Sequence, residues 1–248
     1  MVRLPALVLL LPCIVFMASP LLATEGSAEL TAASAAPAAA DRLEAEYEKL
    51  AALVRERRAP VKPASGILDI QGLPALGAAD APVTIVEFGT VQCGFCRRHA
   101  YKTLPALLDY VEKGQVRYVY HDYPTAAEQR RVVEATLCAA EQDGYFALRS
   151  ALVSGARQPG TEQLHRMADI AGLDVASLED CMGSGRKDGN VGRLVETARG
   201  LGIRGTPTFL IGSTGETGNQ VRIERRIDGA QPAAVFSGEI EALLDSPG

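Results

Sequence analysis

Phe88-Gly89-Thr90-Val91-Gln92-Cys93-Gly94-Phe95-Cys96-Arg97-Arg98 decides how this chain reads. The apolar run Val83 to Phe88 enters a short loop, the loop delivers a Cys-x-x-Cys, and helix-compatible residues follow. A thiol at a helix start faces unpaired backbone N–H groups and the positive end of the helix dipole, both of which favour thiolate. The second cysteine lies one turn further in, within reach of a disulfide with the first. The competing reading is a structural zinc knuckle, which uses the same spacing. Such a site wants a second Cys or His pair nearby. Cys138 and Cys181 stand alone, with no His pair beside either. A strand before the motif and a helix after it favour the redox reading.

Val83 to Phe88 is almost continuously apolar, as expected of a strand buried on both faces. Glu87 is its exception. The spacing of Leu104, Leu107, Leu108 and Val111 predicts one helix over Cys96 to Glu112, kinked at Pro105. Gly114 ends it, and Val116 to His121 reads as a second strand. Thr125 to Gly185 reads as helical throughout, and Arg186 to Leu201 as one more helix. A strand over Thr206 to Ile211, opened by Gly205-Thr206-Pro207, leads through a turn at Gly215 and Gly218 into a strand over Val221 to Ile227. Gln231 to Leu244 forms the last helix. This order is that of an α/β chain with a thioredoxin-like fold and a helical insertion over about residues 125–185.

On the N-terminal side, Arg3 precedes the uncharged run Leu4 to Ala23, the layout of a signal peptide over residues 1–23. The run is also about long enough to serve as an uncleaved membrane anchor. Either way the remainder is expected to be exported to the periplasm. Without Cys13 an even set of four cysteines remains, which suits an oxidising compartment. Residues 24–40 read as a linker rich in Ala, Ser and Thr. Asp41 and Glu44 form a plausible capping box for a helix whose Leu43, Tyr47, Leu50 and Val54 make a heptad stripe ended by Pro60. That stripe packs either on its own domain or on copies of itself. Residues 24–62 thus precede a domain over 63–248, in which Ile67 to Ile70 is the one edge-strand candidate before Pro82. The chain has 248 residues, 47% of them hydrophobic and 22% charged, with a net charge of −5. These values suit a soluble globular protein and offer no sign of a nucleic-acid partner.

From Leu76 onward the chain resembles exported thiol–disulfide oxidoreductases of the DsbA-like branch of the thioredoxin superfamily. The resemblance rests on Ala81 to Phe88, Cys93-Gly94-Phe95-Cys96, Tyr118 to Pro124, and Gly205-Thr206-Pro207-Thr208-Phe209, in that order. It implies that Cys93 is the exposed nucleophile, Cys96 the buried resolving thiol and Pro207 a cis-proline facing them. It makes Glu87 a buried acid able to pass a proton to or from Cys96. The DsbA type carries a histidine between its cysteines; here the pair is Gly94-Phe95. That pair, with Thr206 before the proline, looks more like the disulfide isomerases. An N-terminal helix ahead of the domain resembles the oligomeric ScsC-type proteins.

The expected activity is therefore exchange of a Cys93–Cys96 disulfide with cysteines of reduced or misoxidised exported proteins, recycled by a membrane redox partner. Gly94, Phe95 and Thr206 are expected to meet the substrate. An oligomeric isomerase or reductase assembled through residues 41–58 is the alternative. So is a chaperone or copper-binding module whose thiols are incidental to its role. Cys138 and Cys181 flank the insertion and are expected to pair as a structural disulfide, with two buried free thiols as the alternative. No cofactor or resident metal is expected. His99, one turn beyond Cys96, reads either as facing the site or as an exposed helix histidine. His121 and His165 have no partner at ligand spacing.

Overall fold

The computed structural model describes residues 61–246, with Arg42, Ala45, Glu46, Lys49 and Leu50 helical ahead of them. The expectations for residues 1–23 and 24–40, and for Leu43, Tyr47 and Val54 of the stripe, lie outside the described residues. The strands are β1 (Val61–Asp69), β2 (Ala75–Leu76), β3 (Val83–Gly89), β4 (Val116–Asp122), β5 (Thr208–Thr214) and β6 (Gln220–Asp228). They form one sheet in the order β1-β6-β5-β3-β4-β2. The helices are α1 (Gly94–Lys102), α2 (Leu104–Glu112), α3 (Ala127–Ala139), α4 (Tyr145–Ser154), α5 (Thr161–Ile170), α6 (Val175–Gly183), α7 (Asp188–Gly200) and α8 (Ala233–Leu244).

Strand β3 is the axis of the domain. Every one of its residues is buried, and it runs parallel to β4 and antiparallel to β5. Its side chains alternate across the sheet, as the period of two requires. Val83 and Ile85 pack with Leu107 of α2 and with Phe236 and Ile240 of α8. Val86 and Phe88 pack on the other face with Ala198 of α7 and Ile203. Glu87 shares the parity of Val83 and Ile85, so its carboxylate is directed into that first layer.

Three expectations need correction. The helix over Cys96 to Glu112 is broken rather than kinked: α1 ends and α2 begins at Thr103. Pro105 falls in the first turn of α2, where its missing N–H costs nothing. The Thr103 hydroxyl donates to the Gln231 carbonyl at 2.8 Å, tying the break to the start of α8. The strand read from Thr206 begins at Thr208, just past Pro207. The edge strand is longer than Ile67 to Ile70, because pairing with β6 extends it back to Val61 across an irregularity between Pro63 and Gly66. Gly66 takes φ +139° there, a conformation open to glycine and rarely to other residues. Proline on an edge strand is tolerated for want of a second partner.

The helices between β4 and β5 bury a core of their own. It includes Val132, Ala135, Leu148, Leu152, Leu164 and Leu178. Within it Cys138 of α3 and Cys181 of α6 are joined as a disulfide, with Cα atoms 5.8 Å apart.

Candidate active site

Cys93 is the N-cap residue of α1, with extended backbone angles (φ −75°, ψ 125°). Its sulfur accepts from the Cys96 backbone N–H at 3.4 Å, so the first thiol takes the place of a capping hydroxyl. The two thiols are unpaired in this structure. A hydrogen bond from the Cys96 thiol, acting against partial burial and helped by the Thr206 side chain and the helix N–H groups, draws the Cys93 pKa down to about 5. Cys96 is 3% exposed. The same thiol–thiol bond, its burial and the nearby Glu87 charge push its pKa far above the ordinary thiol value. One thiol is poised to ionise and the other to hold its proton.

The loop before β5 closes the site. The Thr206–Pro207 bond is cis, and the Thr206 carbonyl lies 3.3 Å from the Cys93 sulfur, placed to accept from the thiol form. Beside Pro207 opens a groove of about 640 Å³ lined by residues of that loop, β1 and β6. Phe95, at 62% exposure, stands out on the surface between the cysteines. The guanidinium of Arg157 lies over Gly94, in the space that a side chain at position 94 would enter.

Glu87 is 2% exposed. A Cβ at Gly89 would lie 3.0 Å from both the Cys96 sulfur and Glu87 Oε1. The carboxylate and the Cys96 thiol therefore share the space that a side chain at position 89 would fill. Oε2 accepts from the Tyr118 hydroxyl at 2.8 Å. Oε1 has no hydrogen-bond donor, although Arg149 Nη2 stands 3.6 Å away. Arg149 also lies 3.4 Å from Asp122 Oδ1 and 3.9 Å from the Tyr120 ring centroid. Burial pushes the Asp122 carboxyl up, while Arg149, Tyr145 and Thr136 pull it back. Nothing in the sequence reading anticipated Arg149. Its signal was present: it lies four residues after Tyr145 and three before Leu152, on the buried stripe of a helix, where a charge demands a partner.

His99 is not an exposed helix histidine; it reaches the site from within the core, through Tyr118 to Glu87. It is wholly buried, with Nε2 2.9 Å from the Tyr118 hydroxyl and its ring against Phe209 and Phe236. Since that hydroxyl donates to Glu87, the imidazole N–H donates to the hydroxyl oxygen. Burial lowers its pKa, so it is neutral. His121 is also buried, and His165 pairs with Glu179 at 2.8 Å. No cluster of metal-binding residues occurs among the described residues.

Residues 70–224 match the protein family described as Thioredoxin, well over half of the chain. Over 105 residues the chain is 32% identical to disulfide bond formation protein D of Bacillus subtilis, covering 40% of this chain and 46% of that protein. It is 27% identical over 167 residues to Na(+)/H(+) antiporter NhaA 3 of Salinispora tropica, covering 63% of this chain and 25% of that protein. The chain thus spans between a quarter and about half of the curated relatives it matches. The oxidised structure of BdbD from Bacillus subtilis superposes with a TM-score of 0.61 at 23% identity, covering 75% of this chain and 100% of BdbD. Sequence and fold agree over the same segment, and the chain belongs to the thioredoxin family.

Proposed function

We propose that this protein is an exported thiol–disulfide oxidoreductase that passes its Cys93–Cys96 disulfide to cysteines of other exported proteins. The opposite protonation tendencies of the two thiols carry this reading. A substrate thiolate attacks the Cys93 sulfur; a new S–S bond forms, the Cys93–Cys96 bond breaks, and Cys96 leaves as thiolate. Cys96 takes up a proton, and Glu87 beside it is the group that passes one on. The substrate's second thiolate then attacks its own sulfur in the mixed disulfide. Cys93 departs, and two electrons have moved from substrate to enzyme. A thiol of pKa about 5 is a good leaving group, which favours this last step. Strand β5 starts only at Thr208, so the backbone of Thr206 lies outside the sheet ladder and can pair with an extended substrate segment beside Cys93. A membrane redox partner that reoxidises the dithiol completes the cycle.

The experiment is oxidation of a two-thiol peptide by the disulfide form. Wild type oxidises it stoichiometrically, and neither Cys93→Ser nor Cys96→Ser, which cannot form the disulfide, does so; Cys96→Ser offered the peptide already in its disulfide form accumulates a mixed disulfide at Cys93, the Cys93 thiolate displacing one peptide thiolate. A Cys93→Ser protein that retained activity would overturn the assignment.

A second reading, an isomerase assembled through residues 41–58, draws on one observation: Leu50, on a helical stretch, is 61% exposed. Joined subunits would hold several reduced Cys93 thiolates around one misoxidised substrate.

A further inference from the structure

The protein is acidic as a whole, with a net charge of −5, but the rim around Cys93 is not. Arg204, exposed two residues before Thr206, lines the groove beside Pro207. Among the described residues it has no ion-pair or hydrogen-bond partner. Lys62 and Arg226 line the same groove and converge on its single acid, Asp228, at 2.9 and 2.8 Å. Although burial pushes Asp228 up, those two cations hold its carboxyl below its usual value. It remains ionised and is outnumbered. Arg98 reaches from α1 to the Ala230 carbonyl, next to Gly229, whose N–H donates to the Pro207 carbonyl. In a separate recess Arg157 lies over Gly94, with Glu128 as the acid beside it.

Resting on the oxidoreductase reading above, we infer that the groove beside Pro207 is a docking surface for acidic polypeptide: the favoured substrate carries Asp or Glu within a few residues of the cysteine that meets Cys93. An extended chain advances about 3.3 Å per residue. A segment paired to the Thr206 backbone therefore carries its next residues past Arg204 and the Lys62–Asp228–Arg226 group. Because Arg204 has no carboxylate of its own to give up, a substrate carboxylate gains a partner there without displacing one. Charges arranged in this way act chiefly on encounter and on the choice among partners.

The test compares three peptides of one length and one disulfide-forming cysteine pair, flanked by Asp, Ser or Lys, as substrates of the oxidised full chain. At low ionic strength kcat/KM is expected to be about tenfold higher for the Asp peptide than for the Ser peptide, and lowest for the Lys peptide. In about 1 M salt, where the screening length is about 3 Å, the three values converge. Arg204→Glu is expected to bring the Asp and Ser peptides within about twofold of each other at low salt. Equal rates for all three peptides at low salt overturn the docking inference and leave the oxidoreductase reading intact. An Asp preference that survives both high salt and Arg204→Glu also overturns it, since the preference would then come from elsewhere. Failure to oxidise any of the three sinks the oxidoreductase reading and the inference with it. The salt series on the unaltered protein decides the matter even if the variant folds poorly.

Discussion

Cys93 can be tested by titration. With its pKa near 5, the rate of alkylation by iodoacetamide is expected to rise through a midpoint near pH 5, while Cys96 stays unlabelled to far higher pH. Labelling of Cys96 first would reverse the roles. The sign of the linked effect follows. A depressed thiol pKa stabilises the folded dithiol above the ordinary thiol value, and that gain is lost as pH falls through about 5. The disulfide form has no such group. The potential should therefore change by about 30 mV per pH unit above pH 5 and about twice that below, one and then two protons accompanying the two electrons. A thiolate less stabilised than that of DsbA and more than that of thioredoxin places the potential near about −180 mV, between about −270 and −120 mV. A glutathione titration giving a value at or above −120 mV refutes this. Arg149 offers a stability test, as it stands between two buried carboxylates. Arg149→Met leaves both uncompensated and is expected to cost about 3–5 kcal/mol in denaturant unfolding. A loss under about 1 kcal/mol would show that the pairs are not built as described.

Elements differ in how plainly the sequence announces them, and the reason is the range of the interaction that forms each. Strand β3 and the start of α1 were legible because an apolar run and a Cys-x-x-Cys are local signals. Strand β1 was legible only in part. Its residues Pro63, Ala64 and Gly66 have loop character, and only hydrogen bonds to β6, far along the chain, hold them extended. The partnership of Glu87 with Arg149 joins β3 to α4, and single-segment periodicity cannot report which distant helix faces which strand. His99 misled for a related reason: one face of α1 is covered by Phe209 and Phe236 from the C-terminal part of the chain. The disulfide from α3 to α6 is the tie within the helical layer, closing a loop with a sequence separation of 43. Replacing Cys138 and Cys181 together by alanine is expected to cost about 2–4 kcal/mol. Cys93 and Cys96 should still exchange with substrate, because their immediate neighbours come from β3, α1 and the Thr206 loop. Differential unfolding of the two proteins checks the first statement. Loss of exchange in a variant that still folds would contradict the second.

At the scale of the whole molecule, the question is what stands ahead of the domain. Among the described residues no helix is long and apolar enough to cross a membrane. Arg42, Ala45, Glu46, Lys49 and Leu50 are helical and exposed. Exposure suits the four polar or small side chains but leaves Leu50 without burial, at roughly 25 cal/mol per Å² of apolar surface left in water. In the sequence Leu50 belongs to a stripe with Leu43, Tyr47 and Val54, spaced four, three and four. A helix of so few turns is marginal by itself, and burying such a stripe would stabilise it. The reading in which copies of the chain meet along this stripe has a direct measurement. Sedimentation equilibrium of the protein is expected to return a multiple of its single-chain mass, and deletion of residues 24–60 a monomer. Refolding of a scrambled disulfide protein should fall on that deletion, while oxidation of a two-thiol peptide, which needs one site at a time, should not. If the undeleted protein is itself a monomer, and both forms refold the scrambled substrate equally poorly, the stripe joins nothing and oxidation by separate subunits is the activity that remains.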